Sequence, residues 1–229
     1  MSTELKLVMF DLDGTLIETA PEIADAVNDT MKFHGLPAVT QAQVNDWIGH
    51  GTLTLLISAL AAVKGCSVED IRQWGDLPKV SAVFNGFYQQ RCGTRSHLYP
   101  HVRSVLHRLT ERGVRLAVIT NKEGGFTQTV LKAHDLESTF DIVISGDTLP
   151  TKKPNPAAIE HCLKAFNVQV EQALFVGDSS IDAATAKNAG VRIWLLPYGY
   201  NMGAPVESAN PDRVIPNFLD LLTLLKPST

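Results

Sequence analysis

Leu5-Lys6-Leu7-Val8-Met9-Phe10-Asp11-Leu12-Asp13-Gly14-Thr15-Leu16 opens with an apolar run that ends in two carboxylates and a Gly-Thr turn. The run from Leu5 to Phe10 reads as a buried strand. In a strand that continues through Asp11, residues two apart point to the same side, so Asp11 and Asp13 face one way. Carboxylates held side by side repel each other and cost desolvation energy. The arrangement makes sense if a divalent cation neutralises them, or if one is a nucleophile while the other carries protons.

Beyond Leu16 the pattern turns helical and stays so to about Pro100. Pro21 suits the first turn of a helix, Ile23, Val27 and Met31 recur every four residues, and Gly35 stops the run. Leu53, Leu56, Ile57 and Leu60 form a second stripe ended by Gly65. Ser67-Val68-Glu69-Asp70 opens a third helix, with acidic residues in its first turn. Val80, Val83, Phe84, Phe87 and Tyr88 make a fourth. No strand is expected in this region.

From Pro100 onward, helices and strands alternate. The strands are Leu116–Ile119, Ile142–Ile144, Ala173–Val176 and Val191–Leu196; a terminal helix carries Phe218, Leu221, Leu222 and Leu225. The strands are continuously apolar, as in a parallel sheet covered on both faces. The expected fold is therefore α/β, a doubly wound parallel sheet, with a helical insertion after its first strand. Residues 1–16 and 95–229 form the expected core, and residues 17–94 the helical cap.

The composition, 45% hydrophobic and 19% charged, argues against disorder. A net charge of −4 makes no electrostatic case for nucleic acid or an anionic membrane. No signal-peptide layout or membrane-length apolar stretch is present. Cys66, Cys92 and Cys162 are widely spaced and odd in number, which points to reduced cysteines and a cytoplasmic protein.

In doubly wound folds, ligands bind beyond the carboxyl ends of the strands. The residues there are Asp11, then Thr120-Asn121-Lys122, then Ser145-Gly146-Asp147 with Lys152-Lys153-Pro154 after it, then Gly177-Asp178-Ser179-Ser180-Ile181-Asp182. Acids, a hydroxyl and a lysine pair thus reach one sheet edge.

This order of motifs resembles the haloacid dehalogenase-like hydrolases over the whole chain. Asp11 to Thr15 looks like their first motif, Thr120 their second, Lys153 their third and Gly177-Asp178-x-x-x-Asp182 their fourth. Leu149 to Pro156, Tyr198-Gly199-Tyr200-Asn201 and Ile48-Gly49-His50-Gly51 look like the bacterial phosphoglycolate phosphatases of that family. The resemblance implies Mg²⁺ held by Asp11, Asp178 and the Asp13 backbone carbonyl, with Asp182 direct or through water; the alternative for Asp182 is a helix cap. It implies that Asp11 attacks phosphorus, that Asp13 handles the proton, and that Thr120 and Lys153 stabilise the transferring group. Lys152 is the rival of Lys153. Asn121 either contacts phosphate or serves the turn, and His50 either faces the substrate or lies on the surface. Gly49 and Gly51 would bind a substrate carboxylate at the start of the following helix. The expected partner is a small phosphorylated metabolite, most closely 2-phosphoglycolate, acted on by a monomer or homodimer. A phosphomutase would use the same four motifs. A dehalogenase is disfavoured by Asp13, and a non-catalytic phosphate-binding module by the filled catalytic positions.

Overall fold

The computed structural model describes residues 4–225. In chain order the elements begin with strands β1 (Leu7–Phe10) and β2 (Ile17–Glu18). Five helices follow: α1 (Ala20–Phe33), α2 (Gln41–Trp47), α3 (Thr52–Lys64), α4 (Val68–Arg72) and α5 (Leu77–Arg91). Then come β3 (His97–Leu98), α6 (Val102–Glu111), β4 (Arg115–Ile119), α7 (Gly124–Ala133), β5 (Ile142–Ile144) and α8 (Ala157–Phe166). The chain continues through β6 (Ala173–Gly177), α9 (Ser180–Asn188), β7 (Arg192–Leu195), β8 (Arg213–Val214) and a 3₁₀ helix over Phe218–Leu224.

Six strands form one parallel sheet in the order β5-β4-β1-β6-β7-β8. Both faces of its centre are dry. Leu7 and Met9 of β1 pack into one apolar cluster with Ile159 and Ala183, whereas Val8 and Phe10 pack into another with Val105 and Phe218. Alternate side chains of a strand point to opposite faces, so a strand buried on both must be apolar throughout. Phe10 carries this furthest, stacking on Phe218 with ring centroids 5.6 Å apart.

The helical run α1–α5 leaves and rejoins the sheet through a short antiparallel ladder, Ile17 opposite Leu98 and Glu18 opposite His97. The periodicity did not signal these two-residue strands, nor β8. It also missed α2, which buries Val44 alone and is marked mainly by a Thr40–Gln43 capping box. The terminal helix is 3₁₀ rather than α.

Glu22 in α1 ties down the return connection. It is fully buried, and its Oε2 accepts from the backbone N–H groups of Gly93, Arg95 and Ser96 at 2.9, 3.3 and 3.0 Å. Burial pushes its carboxyl above the usual range, and these donors oppose the shift. Glu22→Ala would strand three amides and leave a cavity. We expect a loss of about 3 kcal/mol in unfolding free energy by urea titration. A loss below about 1 kcal/mol would show that the connection does not depend on this carboxylate.

Candidate active site

β1 lies between β4 and β6, at the centre of the sheet, and its carboxyl end opens onto the crevice where such sheets bind ligands. The strand stops at Phe10, one residue before the first carboxylate. Asp11 still donates its N–H to the Val176 carbonyl at 2.9 Å. The chain then turns tightly, with Leu16 N–H bonded to Leu12 O at 3.0 Å and Gly14 N–H to Ile17 O at 2.9 Å. Because Asp13 lies in this turn rather than in a strand, the two carboxylates find different partners.

Asp11 Oδ1 lies 2.7 Å from Lys153 Nζ, which also meets Asp182 Oδ1 at 2.7 Å. Asp178 accepts from the Thr15 hydroxyl at 2.6 Å and from the Tyr200 N–H at 2.5 Å. Asp11, Asp178 and Asp182 offer oxygens within 4.8 Å of one another, all buried, a group able to hold a metal ion. The Asp13 carboxylate lies outside this group. It accepts from the Thr19 hydroxyl at 2.6 Å and pairs with Lys122 Nζ at 2.7 and 3.0 Å. Asp182 also caps α9, because its Oδ2 accepts from the Asp178 and Ser179 N–H groups and from the Ser179 hydroxyl.

Two glycines make room for Asp178. Gly14 has φ 85°, and a Cβ there would overlap the Asp178 carboxylate and the Tyr200 ring. A Cβ on Gly199 would overlap the same carboxylate. Backbone approaches this close exclude any side chain, which explains why both turns need glycine.

The charge of the site is unbalanced. Burial raises the Asp11 carboxyl to about 7, opposed by Lys153 and reinforced by Asp182. Asp178 is pushed well above the carboxylate range by burial, then by Asp11 and Asp182. Burial acts to lower the Lys153 ammonium, yet Asp11 and Asp182 raise it above its ordinary value, so it stays charged. With all three carboxylates ionised, they would leave an excess of about two negative charges around one ammonium, which a divalent cation matches.

Thr120, Asn121, Lys122, Gly49 and Gly51 join Asp11, Asp13 and Asp178 around a cavity of about 30 Å³. That volume suits about two water molecules. Hydrogen bonds tie the loops around the cavity together. Asn121 Nδ2 donates to Gly49 O at 2.9 Å and Lys153 O at 3.2 Å, while its Oδ1 accepts from Lys153 N–H at 2.9 Å. Its amide is thus a strut between loops. Thr52 donates to Glu123 at 2.7 Å, and Lys152 reaches the same carboxylate at 3.5 Å, away from Asp11. His50 is exposed. The amino end of α3 faces the cavity through Gly51 and Thr52 and has no side-chain cap.

The sequence pattern assigned no role to Lys122, whose only mark was its place two residues after Thr120. Thr15 and Tyr200 stand inside quoted motifs but received no role, and Thr19 was not singled out; all three hold the carboxylates from short loops that carry no periodic signal.

The haloacid dehalogenase-like hydrolase family profile matches residues 8–196. A phosphoglycolate phosphatase of Vibrio parahaemolyticus is 37% identical over 228 residues, covering 98% of each chain. One from Vibrio cholerae is 39% identical, covering 96% of this chain and 97% of its own. A crystal structure from Haemophilus somnus, described as a predicted phosphoglycolate phosphatase, superposes with a TM-score of 0.91 at 33% identity, covering 98% of this chain and 99% of its own.

The raised pKa of Asp11 couples its protonation to stability. The fold favours the protonated form, so this contribution is complete below the ordinary value of 3.8 and is lost as pH rises through about 7. With metal chelated, Asp11→Asn should therefore melt roughly 2–8 °C above the parent at pH 8, and the gap should narrow at pH 5. A variant that melts lower at pH 8 would mean that Lys153 fully compensates the carboxylate.

Proposed function

The chain belongs to the haloacid dehalogenase-like hydrolase family, and from that premise we propose that it is a Mg²⁺-dependent phosphatase that hydrolyses 2-phosphoglycolate to glycolate and phosphate. The observation that carries the reading is the convergence of Asp11, Asp178 and Asp182 on Lys153, with the Asp13 carboxylate held apart from them. The relatives of that name, 37–39% identical over nearly the whole chain, support the substrate.

In this reading Asp11, Asp178 and the Asp13 carbonyl would hold Mg²⁺, with Asp182 direct or through water. The bound ion would offset charge between the nucleophile and the phosphoryl oxygens. Asp11 attacks phosphorus, the bond from phosphorus to the glycolate oxygen breaks, and an aspartyl-phosphate forms. Asp13 gives its proton to the departing oxygen, then takes one from the water that attacks phosphorus and frees Asp11. Lys153 and the Thr120 hydroxyl stabilise charge on the transferring group. Thr120 has that capacity because its oxygen accepts from the Lys122 N–H, at 3.2 Å, and its proton remains to be donated.

Residues 17–94 act as a cap over a core of residues 1–16 and 95–229. The substrate carboxylate binds the uncapped amino end of α3, at Gly49, His50 and Gly51, of which Gly49 and Gly51 line the cavity. Asn121 contributes by holding Gly49. Closure over bound substrate excludes water. The enzyme is taken as cytoplasmic, a monomer or homodimer, with no nucleic-acid or membrane partner; among the described residues no helix is long and apolar enough to cross a membrane.

Asp11→Asn should lower phosphate release from 2-phosphoglycolate by at least about 10³-fold. Undiminished turnover in that variant would sink the mechanism. Chelation should abolish activity and Mg²⁺ restore it. In a panel with sugar phosphates, nucleotides and pyrophosphate, 2-phosphoglycolate should give the highest kcat/KM. A higher value for another ester would reassign the substrate and leave the chemistry standing.

A further inference from the structure

Lys122 has no place in the four motifs, yet it is as deeply enclosed as the lysine that has one. Its side chain is 1% exposed, against 3% for Lys153. Its ammonium meets both oxygens of Asp13, at 2.7 and 3.0 Å, and lies 5.2 Å from the centroid of the Tyr88 ring of α5. The backbone of Lys122 is pinned as well: its N–H donates to Thr120 Oγ1 at 3.2 Å, and its carbonyl accepts from Gly146 N–H at 2.8 Å and from the Thr127 hydroxyl at 3.3 Å. Burial acts to lower its pKa, but Asp13, then Cys92 and Glu22, raise it above the ordinary value, so the cation persists.

A buried ion pair is weak support for a fold. Apolar side chains in place of both partners often do as well or better, because the desolvation of two charges offsets their attraction, whereas removing one partner strands the other charge. The Asp13 side chain, 12% exposed, keeps some access to water. Stability alone therefore does not account for a lysine here. Its geometry does: Lys122 and Thr19 together donate to the carboxylate assigned to proton transfer.

We propose that Lys122 is a positioning residue that acts through Asp13, fixing that carboxylate where it meets the leaving oxygen and linking it to the helical region through Tyr88. The proposal rests on the reading of Asp13 as proton carrier.

A double-mutant cycle tests it, with kcat and KM measured on 2-phosphoglycolate for the parent, Lys122→Met, Asp13→Asn and the pair. Lys122→Met should lower kcat about 10- to 100-fold, at the lower edge of what a general acid contributes because Asp13 itself remains, with KM changed by less than about threefold. In the Asp13→Asn background, the same change should cost less than about threefold, because the group it positions is gone. With p-nitrophenyl phosphate, whose leaving group needs little protonation, Lys122→Met should lose far less than with 2-phosphoglycolate. If Lys122→Met does not fold, Lys122→Gln takes its place in the cycle. Fully additive losses, or equal losses on both substrates, would overturn the proposal alone. Parent-like turnover in Asp13→Asn would instead overturn the role assigned to Asp13, and this proposal with it.

Discussion

Three carboxylates, those of Asp11, Asp178 and Asp182, are held within 4.8 Å of one another around the ammonium of Lys153, which pairs with two of them. Left to itself, such a group would separate or take up protons. Much of the surrounding structure counters that tendency. Thr15 and Tyr200 bind Asp178, the α9 cap binds Asp182, and Gly14 and Gly199 let the backbone close around them. The parallel sheet delivers the parts, since β1, β4 and β6 end side by side. The excess negative charge is the physical reason for reading the site as one built for a divalent cation and a phosphoryl group.

Asp13 answers to a second centre. Two residues from Asp11, it turns to Lys122 and Thr19, so the nucleophile and the proton carrier of the proposed reaction have separate partners. Lys122 in turn touches Tyr88 of α5, and Glu22 of α1 grips the returning chain at Gly93, Arg95 and Ser96. Ile48, Gly49, Gly51, Thr52 and Leu55 of the helical run line the same cavity as Asp11 and Asp13. The hydrogen bonds Asn121–Gly49 and Thr52–Glu123 join the helical run to the loop after β4 beside the cavity.

The sheet was legible because a strand buried on both faces has to be apolar from end to end, as Leu7–Phe10 and Ala173–Val176 are. The convergence of Asp11, Thr120, Lys153 and Asp178 was legible because parallel strands end at one edge. What the pattern concealed was short or irregular. The two-residue strands Ile17–Glu18 and His97–Leu98 are too brief for any period, and α2 buries a single side chain. The Phe218–Leu224 segment has the apolar residues of a helix, but the period alone did not separate a 3₁₀ turn from an α turn. Lys122 and Asn121 were adjacent to a recognised position, but their partners, Asp13 and Gly49, lie 109 and 72 residues away. No local pattern encodes such pairings.

The nucleophile assignment is tested most directly by looking for the covalent species on Asp11. Enzyme mixed with 2-phosphoglycolate and Mg²⁺, quenched in acid within the first turnover and digested, should yield a phosphorylated peptide containing Asp11, with the added mass lost on brief base treatment. The same peptide from enzyme without substrate should be unmodified. Steady release of phosphate with no modification of Asp11 at any quench time, or modification at another residue, would contradict the assignment of Asp11 as nucleophile.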